Sequence, residues 1–208
     1  MNRIAWAVAL LGLALFAALA WGIQPGGPVP ALDACIAQAI AAHINPATLP
    51  AWATFTHLGD TATQWALATV ATLWLGKRLG WRPALGYALL CATGGLWIQG
   101  LKQVFDRVRP QPWHDLPMVT SGASFPSGHS MGSMVVFGGL LVLVWPHLRP
   151  GWPRALALVL AVGAIGGIGA SRAVLGVHWP SDVLAGWALG AGWVAAGVLV
   201  RERPGTRS

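Results

Sequence analysis

Six apolar stretches restrict the possible folds of this chain more than any other feature. They cover approximately residues 4–23, 60–76, 83–101, 127–145, 154–171 and 182–200. Each is close to the roughly 20 residues that a helix needs to cross the apolar core of a bilayer. Of the whole chain, 55% is hydrophobic and only 9% is charged, whereas soluble domains carry about 25% charged residues. We therefore predict an all-α polytopic membrane protein with six transmembrane helices, forming a single membrane domain over residues 1–208.

The first apolar stretch has two interpretations. Arg3 precedes it, and Ala18-Leu19-Ala20 near its end resembles a signal-peptidase site. The stretch is, however, longer than the roughly 7–15 residues of the apolar region of a signal peptide. We therefore expect this helix to be retained, with a cleaved signal as the alternative.

The positions of the basic residues predict the orientation of the helices. With both termini in the cytoplasm, nine of the 13 basic residues fall in cytoplasmic segments: Arg3, Lys77, Arg78, Arg82, Arg149, Arg154, Arg201, Arg203 and Arg207. Cytoplasmic connections of membrane proteins carry such an excess of Lys and Arg. We therefore predict a multi-pass protein of the cell (inner) membrane with a polar cytoplasmic tail over residues 201–208. The other four basic residues and all five Asp residues lie on the outer side.

The net charge of +7 does not indicate nucleic-acid binding. Such binding uses a continuous basic patch, whereas the basic residues here lie in short clusters between apolar runs. Cys35 lies in a polar connection and Cys91 in an apolar run. The two should therefore differ in depth, and we expect no disulfide between them.

The long outer connection over residues 24–59 contains one helical pattern. Every fourth residue is apolar at Leu32, Ile36 and Ile40, which favours a short helix on the membrane surface. The other outer connection, over residues 102–126, is rich in Pro, Gly and charged residues.

Small residues recur four positions apart in two of the apolar stretches. The pairs are Gly163 with Gly167 and Gly186 with Gly190. This spacing lets helix backbones approach closely. The alternative is the ordinary richness of membrane helices in glycine.

Basic residues on the outer side give the first sign of a chemical site. Lys102 ends the third apolar stretch, Arg109-Pro110 follows seven residues later, and Arg172 ends the fifth stretch. The guanidinium group of Arg matches the oxygens of a phosphate, and Lys adds a point charge. One such residue alone would more simply contact lipid headgroups, but three together indicate a bound phosphate.

The segment Pro126-Ser127-Gly128-His129 directly precedes an apolar helix. Ser127 is suited to cap that helix, and the free N–H groups of the first turn attract an anion. Gly128 allows a ligand to approach the backbone closely. His129 is then a candidate general acid, although a lone His at a helix start is more often an ordinary interfacial residue.

A third segment combines Ser171-Arg172 with His178 and Asp182. Pro180 suits the first turn of the sixth helix, so His178 lies just before this helix and Asp182 in its first turn. An Asp within reach of an imidazole fixes its tautomer and supports the charge that it gains. His178 is therefore a candidate nucleophile, unless Asp182 merely caps the helix.

All three segments fall on the outer side of the predicted bundle, so we expect them to form one site. A metal site is the competing use of its imidazole and carboxylate groups, which are His114, His129, His178 and Asp182. Three nearby basic side chains would repel a divalent cation. We therefore expect neither a metal nor another cofactor.

Taken together, the segments resemble the three-part signature of the type 2 phosphatidic acid phosphatase superfamily. They read Lys102-x6-Arg109-Pro110, Pro126-Ser127-Gly128-His129 and Ser171-Arg172-x5-His178-x3-Asp182. Every signature position is matched in the same order, and the resemblance covers a signature-bearing core of about residues 50–200. It implies the membrane branch of the family, which has six membrane helices.

The resemblance also implies roles for the signature residues. His178 would attack phosphorus and form a phospho-histidine, Asp182 would orient His178, and His129 would protonate the leaving group. The phosphate oxygens would be bound by Lys102, Arg109, Ser127, Gly128 and Arg172. The family needs no metal, which agrees with fixed cations that can neutralise the charge on those oxygens. Residues of the same loop outside the signature receive no catalytic role, namely Asp106, Arg107, His114 and Asp115.

The implied function is an integral membrane lipid phosphatase whose site faces the periplasm or exterior. Its expected partners are the bilayer and a lipid phosphate such as phosphatidic acid, phosphatidylglycerol phosphate, undecaprenyl diphosphate or lipid A. The sequence does not choose among these lipids and does not indicate an oligomeric state. The alternatives are a carrier that binds a lipid or anion without hydrolysis and a phosphotransferase. The apolar stretches argue against the soluble haloperoxidase branch.

Overall fold

The computed structural model describes residues 2–116, 118 and 122–201, and these form helices without any strand. The helices are α1 (Asn2–Gly22), α2 (Val29–His43), α3 (Leu49–Thr56), α4 (Thr61–Leu79), α5 (Trp81–Phe105), α6 (Gly128–Ser133), α7 (Gly139–Val144), α8 (Trp152–Val174) and α9 (Pro180–Arg201). Short 3₁₀ turns cover Pro46–Thr48, His57–Gly59 and Trp145–His147, and a π-helical segment, Met134–Gly138, joins α6 to α7. The predicted all-α fold is confirmed. Of the predicted tail, only Arg201 is described.

Five helical segments are long and apolar enough to cross a membrane. They are Arg3–Gly22, Trp81–Phe105, Gly128–His147, Trp152–Val174 and Pro180–Arg201. Each coincides with a predicted apolar stretch. The remaining stretch forms α4, whose 19 residues include four threonines, Gln64 and two basic residues in the last turn. These polar groups make α4 less apolar than the other five, so the sixth membrane span stays a prediction.

The helix predicted in the outer connection is confirmed as α2, but its buried face is not the apolar one. Leu32 is 59% exposed and Ile36 is 37% exposed, whereas Asp33 is only 2% exposed. Ile40 packs against an apolar cluster at the start of α3 and the end of α8. The helix turns a carboxylate inward because Asp33 has ionic and hydrogen-bond partners on neighbouring elements. Its position on the membrane surface stays a prediction.

Gly186 and Gly190 bring α9 directly against the start of α6. A Cβ atom at Gly186 would lie 2.6 Å from the carbonyl oxygen of Ser127, so a side chain there would separate the two helices. The close approach lets the Ser127 N–H donate to the carbonyl oxygen of Asp182 at 3.0 Å. Gly163, in contrast, has no neighbour within 4 Å of a Cβ position in the described part of the chain. Close helix packing is therefore confirmed for the second glycine pair and not for Gly163.

Three aromatic rings anchor the loop that leads into α6. Phe125 is fully buried, and its ring centroid lies 5.0 Å from that of Phe105 and 5.6 Å from that of Phe16. Phe105 ends α5, and Phe16 belongs to α1, which packs along α9. Such edge and stacked contacts add to the stabilisation from apolar burial. The rings therefore fix the entry to α6 between three helices.

Candidate active site

The three predicted segments meet at one cavity of about 370 Å³. Six of the eight predicted site residues line it: Lys102, Arg109, Gly128, His129, Arg172 and His178. The other two, Ser127 and Asp182, are fully buried directly behind this lining. A cavity of this size is within the common range for small-molecule sites. Its wall therefore combines three cationic side chains with two imidazoles.

His178 lies in the loop between α8 and α9, where two hydrogen bonds hold the loop in place. The N–H groups of Val177 and His178 both donate to the carbonyl oxygen of Arg172, at 3.1 and 3.2 Å. The Nδ1 atom of His178 lies 3.3 Å from Ser124 Oγ and 3.4 Å from Asp182 Oδ2. The predicted pairing of His178 with Asp182 is therefore present, with Ser124 as an additional partner.

Asp182 also caps its own helix, in addition to its contact with His178. Its Oδ2 atom accepts a hydrogen bond from the Trp179 N–H at 2.8 Å, which is the contact that an acidic residue in a first helical turn makes with the residue before the helix. The Ser124 hydroxyl donates to the same oxygen. Capping therefore fixes the carboxylate beside His178 instead of competing with that contact.

This network determines which nitrogen of His178 carries the lone pair. An ionised carboxylate only accepts hydrogen bonds, so the proton of the neutral imidazole sits on Nδ1. The lone pair is then on Nε2, which lies 3.0 Å from Nη1 of Arg109. Burial lowers the pKa of His178 to about 4, against the raising effect of the hydrogen bond with Asp182. His178 is therefore neutral at neutral pH and carries its lone pair beside a guanidinium group.

His129 has a carboxylate partner of its own, Asp60. The Nε2 atom of His129 lies 3.1 Å from Asp60 Oδ1, and His57 Nδ1 lies 2.7 Å from Asp60 Oδ2. Burial raises the pKa of Asp60, but hydrogen bonds with His57 and His129 outweigh this effect and lower the pKa below its usual value. Asp60 therefore remains a carboxylate that can support a positive charge on His129.

Arg172 lines the cavity from the end of α8. Its side chain is buried, and Nη1 donates to the hydroxyl of Thr56 at 3.0 Å. Its Nε atom is also buried and has no hydrogen-bond partner among the described residues. A buried donor without a partner is costly, and a phosphate oxygen in the cavity would supply the missing acceptor.

Arg109 lines the cavity and is held by backbone carbonyl groups. Its Nη1 donates to the Val177 carbonyl oxygen at 2.8 Å, and its Nε to that of Gly122 at 3.0 Å. Lys102 is half-buried in the last turn of α5 and lines the same cavity. Burial lowers the pKa of Arg109, and the charge of Asp182 partly opposes this shift.

Ser127 and Gly128 occupy different positions relative to the cavity. Ser127 caps α6 as predicted, because its Oγ accepts from the Ser130 N–H at 3.4 Å. Its own N–H is used by the Asp182 carbonyl oxygen, and its side chain does not reach the cavity lining. Gly128 does line the cavity. Phosphate binding by Ser127 and by Gly128 stays a prediction.

The unassigned residues of the 102–126 loop do not belong to the described cavity lining. Asp106 is exposed and ends α5 in a left-handed conformation, with φ 35°. His114 Nδ1 accepts from the Leu116 N–H at 3.2 Å. Arg107, by contrast, forms an ion pair with Asp182 at 2.6 Å. Among the described residues, no group of three His, Cys, Asp or Glu side chains is arranged to hold a metal ion.

Sequence reasoning missed several polar residues that contact the predicted site, including Thr56, Asp60, Arg107 and Ser124. Asp60 had a local signal, since an Asp directly before an apolar helix reads as a cap. Ser124 lies close to the signature segment, but nothing in its neighbourhood distinguishes it from an ordinary loop serine. Thr56 and Arg107 can be found only through the partners that they contact.

The fold and the cavity define a helical membrane protein with a cavity lined by cationic side chains and two histidines. Residues 83–205 match the sequence model of a family described as the PAP2 superfamily. The match covers more than half of the chain, so the chain belongs to this superfamily, as the resemblance implied.

Several curated relatives are similar to parts of this chain. Phosphatidylglycerophosphatase B of Bacillus subtilis (strain 168) is 34% identical over 141 residues, which are 65% of this chain and 66% of the relative. A lipid A 1-phosphatase of Rhizobium johnstonii is 34% identical over 119 residues, 53% of this chain and 45% of the relative. An undecaprenyl-diphosphatase of Sulfolobus acidocaldarius is 35% identical over 98 residues, 45% of this chain and 43% of the relative. The chain thus matches from under half to about two thirds of the length of these relatives.

A solved structure shares nearly the whole fold. The crystal structure of a transmembrane PAP2 type phosphatidylglycerolphosphate phosphatase from Bacillus subtilis superposes with a TM-score of 0.80 at 27% identity. The superposition covers 94% of this chain and 98% of the other. The fold is therefore that of a membrane PAP2 protein.

Proposed function

We propose that the protein is an integral membrane lipid phosphatase that works through a phospho-histidine intermediate. The observation that carries this proposal is the orientation of His178. Its Nδ1 faces Ser124 and Asp182, which leaves the lone pair of Nε2 beside Arg109 at the cavity. A site that only binds phosphate needs cations but no oriented lone pair. An oriented, neutral imidazole indicates nucleophilic catalysis.

In the first step, Nε2 of His178 attacks phosphorus while the bond from phosphorus to the leaving oxygen breaks. Asp182 stabilises the positive charge that the ring gains, and His129 donates a proton to the leaving oxygen. In the second step, water attacks the phospho-histidine and gives a proton to His129. The bond between phosphorus and nitrogen breaks, inorganic phosphate leaves, and both histidines return to their starting protonation states.

The cations stabilise the charge of the transferred group throughout both steps. Lys102, Arg109 and Arg172 lie around the cavity with the two histidines. In phosphoryl transfer, negative charge is spread over the non-bridging oxygens, and fixed positive groups in a desolvated site stabilise it strongly. We expect no metal and no other cofactor in this mechanism.

Asp60 supports the role of His129 as a proton donor. Its carboxylate lies beside the His129 ring, and a phosphate dianion in the cavity would add further negative charge nearby. Both negative groups favour the protonated, positively charged imidazole. Substrate binding would thus prepare the acid for the first step.

The apolar part of the cavity supports a lipid as the substrate. Away from the cations, the lining passes between α4 and α5 and consists largely of apolar or small residues, including Trp65, Ala68, Ala92, Leu96 and Val135. A phosphate at the cationic end would place an attached apolar chain along this wall. Burial of each CH₂ group there contributes about 0.8 kcal/mol to binding.

The names of the relatives supply the candidate substrates. They denote phosphatases of phosphatidylglycerophosphate, lipid A and undecaprenyl diphosphate, and phosphatidic acid remains a fourth candidate from the sequence resemblance. All four have a phosphate or diphosphate attached to an apolar body, which matches the two ends of the cavity.

The distribution of basic residues supports the orientation that we propose. Successive membrane crossings would place nine of the 13 basic residues on one side of the membrane. The site lies at the other ends of the helices, on the opposite side. Both termini would then be cytoplasmic, and the site would face the periplasm or exterior of the cell (inner) membrane.

A panel of phosphates tests the proposed function. Purified protein in detergent with excess EDTA is given each candidate lipid, and glycerol 3-phosphate serves as a control that lacks an apolar body. We expect release of inorganic phosphate, with kcat/KM for the preferred lipid at least about 100-fold above that of the control, because several CH₂ groups are buried. The measurement is initial-rate phosphate release.

Three results would contradict this proposal. Saturable lipid binding without phosphate release would indicate a carrier. Preferential transfer of phosphate to an added alcohol would indicate a phosphotransferase. Equal kcat/KM values for the lipids and glycerol 3-phosphate would show that the apolar wall does not bind the lipid.

Gly59 offers a test of the position of His129. A Cβ atom at this residue would lie 2.5 Å from His129 Cδ2 and 2.6 Å from Ile168 Cγ2. The Gly59→Ala variant must therefore displace the ring, and a shift of this size is expected to lower kcat by roughly 10-fold to 100-fold. Gly163→Ala is the matched control, because the space around that position is open, and its kcat should stay near wild type. Equal kcat values for the two variants would show that Gly59 does not position His129.

A further inference from the structure

A buried network of charges lies behind Asp182, on the side away from the cavity. Arg107 Nη1 donates to Asp182 Oδ1 at 2.6 Å, and Arg107 Nη2 donates to Asp33 Oδ2 at 2.7 Å. The side chains of Arg107, Asp33 and Asp182 are 11%, 3% and 0% exposed. One guanidinium group thus bridges two buried carboxylates, and neither Arg107 nor Asp33 belongs to the described cavity lining.

Asp33 joins α2 to the first turn of α9. Its Oδ1 accepts from the Ser181 N–H at 2.9 Å, and its Oδ2 accepts from the Ser181 hydroxyl. Arg107 Nη1 also donates to that hydroxyl, at 2.8 Å. Free N–H groups at a helix start favour a carboxylate. Asp33 therefore binds the first turn of α9, which carries Asp182, from the side away from the cavity. Asp33 lies outside the residues that match the family model.

The charges of this network act on His178 through Asp182. Arg107 shares its positive charge between two carboxylates. It therefore neutralises less of the charge of Asp182 than an arginine paired with Asp182 alone would, and more of that negative charge acts on His178. We infer that Asp33 and Arg107 are positioning residues that set the orientation and the effective charge of Asp182, and with them the reactivity of His178. This inference rests on the proposed nucleophilic role of His178.

Other charged and titratable groups also face His178, and they stay constant in the test. They are Asp182 from α9, Arg109 from the α5–α6 loop, Arg172 from α8 and His129 from α6. Lys102 from α5 interacts electrostatically with Asp182. Because none of them is changed, a difference between variants reports on Asp33 and Arg107.

Opposite effects of two single variants form the core of the test. In Asp33→Asn, Arg107 neutralises Asp182 alone, so His178 should protonate at lower pH than in the wild type. In Arg107→Gln, Asp182 loses its cation, so His178 should protonate at higher pH. Histidine imidazole NMR during a pH titration measures this directly, with the His178 signal assigned by its absence in His178→Gln.

Kinetics give the second measurement. For the preferred lipid, we expect kcat to fall roughly tenfold in Asp33→Asn, the size of a coupling within one hydrogen-bond network, with KM within about twofold. The double variant Asp33→Asn/Arg107→Gln lacks the arginine that would neutralise Asp182 alone, and it should recover part of the lost kcat. The double variant can also be measured in place of a single variant that fails to fold. Asp106→Asn is the matched control, because Asp106 is exposed and Asn tolerates its left-handed backbone.

The outcomes separate this inference from the proposed function. Wild-type hydrolysis with opposite shifts of the His178 titration supports the inference. Wild-type hydrolysis with both single variants behaving like Asp106→Asn overturns it. A loss of thermal stability without a change in kcat or titration also overturns it, because that pattern means a structural role only. Absence of hydrolysis in the wild type would instead overturn the proposed function, while the NMR titration still reports on the network.

Discussion

Replacing His178 with Gln is expected to abolish lipid phosphate hydrolysis, lowering kcat by roughly four orders of magnitude or more, as loss of a nucleophile does in enzymes with covalent intermediates. Gln is similar in size and polar, so the cavity should keep its cations and its affinity for phosphate. The physical reason is the loss of the lone pair that Asp182 and Ser124 orient toward the cavity. The measurement is phosphate release in EDTA, together with binding of inorganic phosphate.

A radiolabel makes this prediction specific to the proposed intermediate. Brief exposure of the wild-type protein to a ³²P-labelled lipid should leave a label that is stable in alkali and lost in acid, as expected for a bond between phosphorus and nitrogen. His178→Gln should retain none of it. His147→Gln is the control, because His147 is exposed and belongs to a 3₁₀ turn outside the cavity. Turnover or labelling in His178→Gln would refute the assignment of the nucleophile.

Replacing His129 with Gln is expected to produce a loss that depends on the leaving group. An alkoxide from a lipid must be protonated as it leaves, so kcat for the lipid should fall by about 10²–10⁴-fold. Nitrophenolate leaves without a proton, so phosphoenzyme formation from p-nitrophenyl phosphate should be much less affected. The two substrates therefore separate proton donation from phosphate binding.

Pre-steady-state kinetics show the second role proposed for His129. Water must be activated to hydrolyse the phospho-histidine, so the variant should release one equivalent of nitrophenol rapidly and then slow down. The wild type supplies the comparison for burst and steady-state rates. An equal loss with both substrates, without a burst, would show that His129 only binds phosphate.

The contacts predicted within the site are present where the two residues lie close together in the sequence. His178 and Asp182 lie four residues apart across the start of α9, so Pro180 and helix geometry alone bring them together. Ser127 caps α6 through a hydrogen bond with Ser130, three residues later. In both cases local backbone geometry limits the side chains to a small region, and the residue type then indicates the contact.

Prediction from sequence failed for contacts that depend on where helices cross. The side chains of Asp33 and Arg107 meet across 74 residues, and those of Thr56 and Arg172 across 116. The spacing of Leu32 and Ile36 predicted α2 itself, but nothing in that pattern indicated that Asp33 would be buried against neighbouring elements. Only the folded position of the 102–126 loop supplies the cation that makes burial of Asp33 favourable.

The apolar stretches and the three polar segments at their ends are properties of the sequence by itself. Length and hydropathy determine that five of these helices suit a bilayer, and the residue types and spacings at their ends predict a site for phosphate chemistry. The tertiary structure decided how that site is supported: Asp60 joins His129, Thr56 holds Arg172, and Asp33 with Arg107 lies behind Asp182. The physical reason is that ion pairs and hydrogen bonds act over a few ångströms. Their members become partners only after helix packing has brought distant parts of the chain together.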